Sequence, residues 1–297
     1  MQLFLKKSFS RQEQFKATQP AYLTDPMLME HYLCTTCGTQ YAPSYEPPAR
    51  CLICEDERQY VNWEGQSWTS VTELVESRQI TIRQLEPNLY GISTEPAFAI
   101  GQRALLLRSP QGNILWDCLS FIDDATHRFI DQLGGLKAIA ISHPHFYGAM
   151  VEWSQAFGSI PVYLHADDRD WVMRPANEIQ FWEGEELPLW EGIKIIRCGG
   201  HFPGSCVLEY PQSAGGRGAL FTGDTLQVTM DRRYVSFMRS YPNLLPLSAS
   251  RVMHIHRSLQ EVNFDRIYGG WLDRNILSGA KNAFELSVQR YLRAITE

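Results

Sequence analysis

The stretch ISHPHFYGAM, residues 141–150, sets two histidines one residue apart directly after an apolar run, LKAIAIS (136–142). That run reads as a buried strand. On an extended chain, residues two apart share a side, so His143 and His145 would point the same way. An acid and another histidine could complete a larger ligand set, but Tyr147 and Gly148 follow. Working outward, three more candidate ligands close expected strands or glycine-flanked turns. These are His201 in CGGHFPGS, Asp224 in LFTGD and Asp117 in ILWD. Sites in α/β sheets collect at the carboxyl ends of strands, where the loops converge. Three neutral imidazoles plus one carboxylate would suit Zn²⁺ or Fe²⁺.

The surrounding pattern supports a layered α/β domain. AFAIGQRALLLRSPQGNILWDC has two apolar runs around an SPQGN turn, which predicts a hairpin. PVYLH, GIKIIRC, CVLEY, GALFTGD and FDRIYGG read as further strands. ATHRFIDQLGG, AMVEWSQAFG and SASRVMHIHRSLQEV read as helices, the last burying Val252, Ile255 and Leu259, and a long helix is expected from about Ile276. SWTSVTELVES predicts a short connecting helix capped by Thr69 or Ser70, with Val71, Leu74 and Val75 inward. The expected organisation is an N-terminal segment 1–66, a connector 67–79 and a main domain 80–297.

The N-terminal segment holds Cys34 and Cys37 in CTTCG and Cys51 and Cys54 in CLIC. Two thiolates three apart grip an ion from a tight turn, and two such turns complete a tetrahedron. The set resembles a zinc ribbon or a rubredoxin-like pair of knuckles. Glu55 stands where the second rubredoxin knuckle would have glycine, which favours structural zinc over redox iron. A closed four-thiolate site has no open position, so its role is folding. Cys118, Cys198 and Cys206 are expected to be small buried hydrophobes.

Taken in order, the motifs resemble the metallo-β-lactamase fold superfamily over residues 82–297. SHPHFYG matches its His-x-His-x-Asp-His loop at His143 and His145. GGHFPGS matches its Gly-His-Thr-Pro-Gly-Ser turn at His201, with Phe202 for Thr. FTGDTL matches its metal-bridging aspartate at Asp224, and ILWDC its early strand-end aspartate at Asp117. The resemblance implies a four-layer αβ/βα sandwich, here with a small N-terminal zinc-ribbon domain. Two-metal relatives also use the acid and last histidine of the first motif and a late histidine. Those places carry Tyr147, Gly148 and YGGW (268–271). The ligands private to a second metal are therefore missing as a set, while those of the first remain.

These matches imply a mononuclear zinc hydrolase of small-molecule esters, lactones or thioesters. His143, His145, His201 and Asp224 would hold one Zn or Fe, with Asp224 and Tyr147 as catalytic groups. Asp117 and His165 would support the ligands from behind. Two aromatic segments, 171–192 and 228–247, would roof a substrate pocket to which Arg239 and Trp271 contribute. One alternative is a metal-bearing module without catalysis that binds a ligand or partner. Another is an iron redox protein fed by the knuckles. His254 and His256 are expected to be ordinary helix residues.

The chain has 297 residues and a net charge of −6. It therefore lacks the basic footprint expected of a nucleic-acid or anionic-membrane partner. MQLFLKKSFS lacks a long apolar core for a signal peptide. Together with thiolate-style cysteine spacing this points to the cytoplasm. Exposed aromatics and arginines would suit a homodimer as well as a pocket.

Overall fold

A computed structural model describes residues 29–297. The stretch inspected for a leader, MQLFLKKSFS, and the rest of the first 28 residues lie outside the described part. The chain enters through a two-stranded ribbon, β1 (Leu33–Cys34) against β2 (Trp68–Thr69), with a one-turn helix α1 (Leu52–Glu55) between them. Helix α2 (Val71–Ser77) follows. Ser70 accepts a hydrogen bond from the Glu73 N–H while Glu73 reaches back to the Ser70 N–H. That reciprocal pair satisfies two otherwise orphaned donors, which is why the helix starts there. Leu74 is buried as expected, but Val75 is exposed, since this short helix anchors through one narrow face.

Seven strands form the first sheet in chain order: β3 (Gln79–Glu86), β4 (Leu89–Glu95), β5 (Arg103–Leu107), β6 (Ile114–Trp116), β7 (Ala138–Ala140), β8 (Val162–His165) and β9 (Ile179–Trp182). The first four are antiparallel, and β6 to β9 run parallel. Helices α3 (Asp124–Gln132) and α4 (Met150–Ala156) supply crossovers between the parallel strands. The second sheet has the order β10-β11-β12-β13-β18-β19. Its strands are β10 (Glu186–Pro188), β11 (Lys194–Arg197), β12 (Cys206–Tyr210), β13 (Ala219–Phe221), β18 (Arg266–Tyr268) and β19 (Asn275–Ile276). A one-turn helix α5 (Ser213–Gly216) joins β12 to β13. Two small hairpins lie between β13 and β18. They are β14 (Gln227–Val228) with β15 (Val235–Ser236), and β16 (Met238–Ser240) with β17 (Leu245–Pro246). Helices α6 (Ala249–Leu259) and α7 (Ala280–Thr296) complete the chain.

Strand alternation assembles these parts into four layers. In β5, Leu105 and Leu107 face a core between the sheets, with Ile114 and Trp116 from β6 and Ile195, Leu208, Phe221 and Tyr268 from the other sheet. Their neighbours Ala104, Leu106 and Leu115 face outward onto Leu74, Ile130 and Trp153 of the helices. The second sheet does the same. Ile196, Val207, Leu220 and Ile267 turn to Val252, Ile255 and Leu259 of α6 and Phe284 and Val288 of α7. Strands buried on both faces need apolar residues at consecutive positions, which explains runs such as RALLL. The αβ/βα sandwich is thus the observed fold.

Most of segment 171–192 is regular structure. It carries β9 and β10, which close one edge of each sheet and link them, while Trp171 at its start packs on Phe202. The last helix begins at Ala280, not near Ile276, because Ile276 pairs in β19 and Gly279 turns the chain at φ +67°. Among the described residues, no helix is long and apolar enough to cross a membrane.

Candidate metal centre

Loops from both sheets meet at one edge of the sandwich. His143 and His145 follow β7, with His145 in a single turn, Pro144–Phe146, that begins on proline. His201 lies in the turn between β11 and β12, and Asp224 follows β13. One nitrogen or oxygen from each of these four residues lies within 4.8 Å of the others. The His145 Nδ1 to His201 Nε2 distance is 3.2 Å. From Asp224 Oδ2, His143 Nε2 lies at 3.6 Å and His201 Nε2 at 3.9 Å. Ligands about 2.0–2.1 Å from one tetrahedral ion stand roughly 3.4 Å apart, so the donors fit a single centre.

The hydrogen-bond pattern favours the same use. His201 Nδ1 lies 3.1 Å from the Met238 carbonyl, which can only accept, so Nδ1 carries the proton and Nε2 keeps its lone pair. Ser142 Oγ lies 2.9 Å from His143 Nδ1. His143 Nε2 and Asp224 Oδ1 are buried without a protein partner. Orphaned buried polar atoms are costly, and a shared cation would satisfy them. Burial pushes the His143 and His201 imidazoles down to about 3 and holds His145 well below its ordinary value. All three are therefore neutral donors near pH 7. Burial pushes the Asp224 carboxyl up to about 6, with His201 opposing. The proton that competes with metal is accordingly the one on Asp224. Calorimetric titration in buffers of different ionisation heat should show proton release on metal uptake below about pH 6. Asp224→Asn should lose that release, while the release at pH 8, which comes from bound water and the ribbon thiols, should stay unchanged. Equal release below pH 6 from both chains would contradict this assignment.

Asp117 supports the ligand loop from behind. Its Oδ1 accepts the Ser142 N–H at 2.8 Å, fixing the residue before His143. Its backbone is left-handed at φ +63°, and burial together with the Asp224 charge raises its carboxyl to about 7 despite the Ser142 hydrogen bonds. Gly223 is required beside it. A Cβ there would lie 2.3 Å from Ser142 Oγ, and φ is +49°. Tyr241 donates its hydroxyl to the Asp224 carbonyl at 3.0 Å.

Aromatic carbon fills the rest of the surroundings. The Phe202 ring packs against all three imidazoles, with centroids 4.9–5.6 Å away. Phe146 packs on His143 and reaches Trp271. A Cβ added at Gly270 would stand 2.6 Å from the Phe146 ring. In the sequence resemblance this turn, YGGW, stands where two-metal relatives would use a late histidine, and here a phenyl ring takes up the space beside its Gly270. Gly270→Ala should cost about 1–3 kcal/mol by overpacking. Chemical denaturation should show it, and Phe146→Leu in the same chain should recover part of the loss.

Several sequence-predicted residues sit differently. Tyr147 is buried, and its hydroxyl donates to the Asp168 carbonyl at 3.4 Å, not to any of the four ligands. His165 bonds the Gly184 carbonyl and the Asp167 N–H, which structures its own loop. Arg239 pairs with Glu57 of the N-terminal segment. Trp271 donates its indole N–H to the Ile100 carbonyl at 2.9 Å while bordering a surface cavity with Gln227, Met230 and Arg274. His256 pairs with Glu285, and Cys118, Cys198 and Cys206 are buried. No local motif marks Arg58, whose guanidinium lies 4.3 Å over the Phe202 ring. Nor does one mark Asp168, whose buried carboxyl accepts the Gly204 N–H and is pushed up to about 7 by burial.

The cysteine cluster also fits an ion. All four thiols are buried and none is in a disulfide. Cys34 and Cys54 sulfurs lie 3.5 Å apart, and Cys37 and Cys51 sulfurs 3.6 Å apart. Four sulfurs about 2.3 Å from one ion would be about 3.8 Å apart. Gln66 Nε2 and the Tyr41 hydroxyl donate to Cys34 and Cys51 sulfurs at 3.2 and 3.3 Å, as suits thiolates. Gly38 takes φ +79°, as a turn knuckle needs. The second knuckle is α1, a helical turn, so Glu55 stands where no left-handed residue is required.

The ribbon lies across the metal edge. Gly38 accepts from the Ser120 hydroxyl, and the Gln40 N–H donates to the Gly148 carbonyl. Ser240 donates to the Arg58 carbonyl, and Asn243 donates to the carbonyls of Glu57 and Gln59. The Asp117 loop, the first histidine loop and the β16–β17 hairpin that carries Met238 therefore each have a neighbour in the ribbon.

Comparison with known proteins agrees with this geometry. The profile described as Metallo-beta-lactamase superfamily matches residues 99–271. A Bacillus subtilis (strain 168) protein called "Uncharacterized protein YmaE" is 45% identical over 269 residues, covering 90% of this chain and 97% of its own. Among solved structures, the DIM-1 metallo-beta-lactamase exposed to ceftazidime superposes with a TM-score of 0.52 at 16% identity, covering 73% of this chain and 98% of its own. The FIM-1 metallo-beta-lactamase of Pseudomonas aeruginosa, in a mono-zinc form, gives 0.52 at 17% identity, covering 72% and 96%. At such identities the structures speak for the fold alone, but the family match spans more than half of the chain: this protein belongs to the metallo-beta-lactamase superfamily.

Proposed function

We propose that the protein is a one-metal hydrolase acting on a small-molecule ester, lactone or thioester. The observation that carries this reading is the convergence of three neutral imidazoles and the Asp224 carboxylate at one sheet edge, with the Phe146 ring packed against Gly270 of the YGGW turn. When bound, Zn²⁺ or Fe²⁺ supplies Lewis acidity there and lowers the pKa of water from about 16 to near 7. The neutral histidines add no charge, so the single negative charge of Asp224 leaves the centre electrophilic. The Met238 carbonyl and Asp117, through Ser142, fix the ligand loops, while Phe146 and Phe202 exclude water from their flanks. The mono-zinc form recorded for FIM-1 is a precedent within the fold. We assign zinc to the ribbon as well. Four free buried thiols there favour a reducing compartment such as the cytoplasm.

Elemental analysis of the purified protein tests the nuclearity. Two ions per chain are expected, one in the ribbon and one at the histidines. Three would overturn the one-metal reading. A panel of ester, lactone and thioester substrates tests the activity. A second reading, a metal-bearing module that binds without hydrolysing, draws on Tyr147 being turned to Asp168 and on the ribbon crossing the edge. A loaded histidine centre with no turnover of the panel, or with turnover that His201→Ala leaves unchanged and so does not arise at the centre, would select it.

A further inference from the structure

Beside the His201 turn is a cavity of about 310 Å³, within the range of small-molecule pockets. Arg58, Arg239 and Arg251 line it with Ser248 and Leu247, and Gly200 and Pro203 on either side of His201 form its wall. No acidic side chain is among the lining residues. Arg58 is only 8% exposed, and its buried Nε has no partner. Its Nη1 pairs with Asp56 at 2.9 Å, and Arg239 pairs with Glu57. Arg251 is exposed in the first turn of α6. Ser248 is the N-cap of that helix of 11 residues, yet its side chain caps no backbone N–H and instead lies 3.0 Å from the Ser250 hydroxyl.

We propose that this cavity binds a phosphate group, either free or carried by a small phosphorylated molecule. A helix N-terminus presents unsatisfied N–H groups and a partial positive charge to an anion. A guanidinium adds planar paired donors. Donors on three separate elements, namely the ribbon, the β16 strand and α6, surround the space from different sides. A tetrahedral dianion offers oxygens in several directions, whereas a planar carboxylate offers two and a single charge. Arg58 also stacks on Phe202, which packs on all three imidazoles. The bound anion would thus sit against the back of the ligand turn, held partly by the ribbon. The site is independent of the hydrolytic reading, since binding can be measured whether or not the protein turns over a substrate.

The test is isothermal titration of the metal-loaded full chain at constant ionic strength, using inorganic phosphate, glycerol 3-phosphate and acetate. Saturable binding of one or both phosphates, with acetate weaker, is expected. Tighter binding of the monoester would identify a phosphorylated molecule, and equal or weaker binding would identify free phosphate. Arg251→Glu places an acid in the first turn of α6, which the helix tolerates. It should bind phosphate about 10–100-fold more weakly with its metal content unchanged. Arg58→Ala should do the same where it folds, but the exposed Arg251 carries the decision. No saturable phosphate binding would overturn the proposal. So would wild-type affinity in Arg251→Glu, or binding that disappears in His201→Ala while persisting in Arg251→Glu, which would place the anion on the metal.

Discussion

Changing His201 to alanine is expected to empty the histidine centre while leaving the ribbon loaded. His201 contributes one of three neutral nitrogens and also ties the ligand turn to the Met238 carbonyl. Loss of an outer hydrogen-bond partner costs a metal site about 10–100-fold in affinity, and loss of a ligand costs more. Metal per chain should fall from two to one. Hydrolysis should drop by about 10³-fold or more, because the ion supplies several kcal/mol of transition-state stabilisation. The folded chain should persist, since the αβ/βα core does not depend on this residue. Circular dichroism beside elemental analysis separates the two effects. A variant that keeps both metals would show that the remaining ligands suffice.

Changing Cys51 to serine should have the opposite signature. Structural zinc sites in small modules contribute about 10–16 kcal/mol of apparent binding energy, which serves as folding energy. The ribbon has little else: its buried cluster consists of Ile53 and the four cysteines, with Tyr41, Trp68, Trp171 and Met173 packed around them. Loss of one thiolate should release the ion and make residues 29–66 susceptible to limited proteolysis, while 80–297 stays resistant. The cavity beside His201 should lose Arg58 at the same time, so phosphate binding should weaken in step. Resistance of the ribbon equal to wild type would show that its packing alone holds it.

The ligand set was legible because each member lies in a short local motif at a strand end, and strand ends converge by topology. His143, His145, His201 and Asp224 needed no knowledge of distant packing. Phe146 did: its ring matters because Gly270, far along the chain, leaves it room. Arg58 carries no local signal, since its position depends on how the ribbon docks against Phe202. The two strands of segment 171–192 were hidden for a related reason. IQFW and ELP are too short for their alternation to stand out, and their pairing partners β8 and β11 are what make them strands. Tyr147 occupies an acid's place in the motif, yet burial gives its hydroxyl a carbonyl partner away from the centre.

The ribbon's position also dictates an order of assembly. Its four thiols fall within a short stretch, so they can close on an ion with only a short loop to order. Its docking partners, Ser120, Gly148, Phe202, Ser240 and Asn243, come from both sheets and are brought together only after β13 and its hairpins are in place. Such distant contacts form late. An element able to order itself around its own ion is thus seated only once the sheets it docks on have formed, and its arrival closes the edge where the histidines lie.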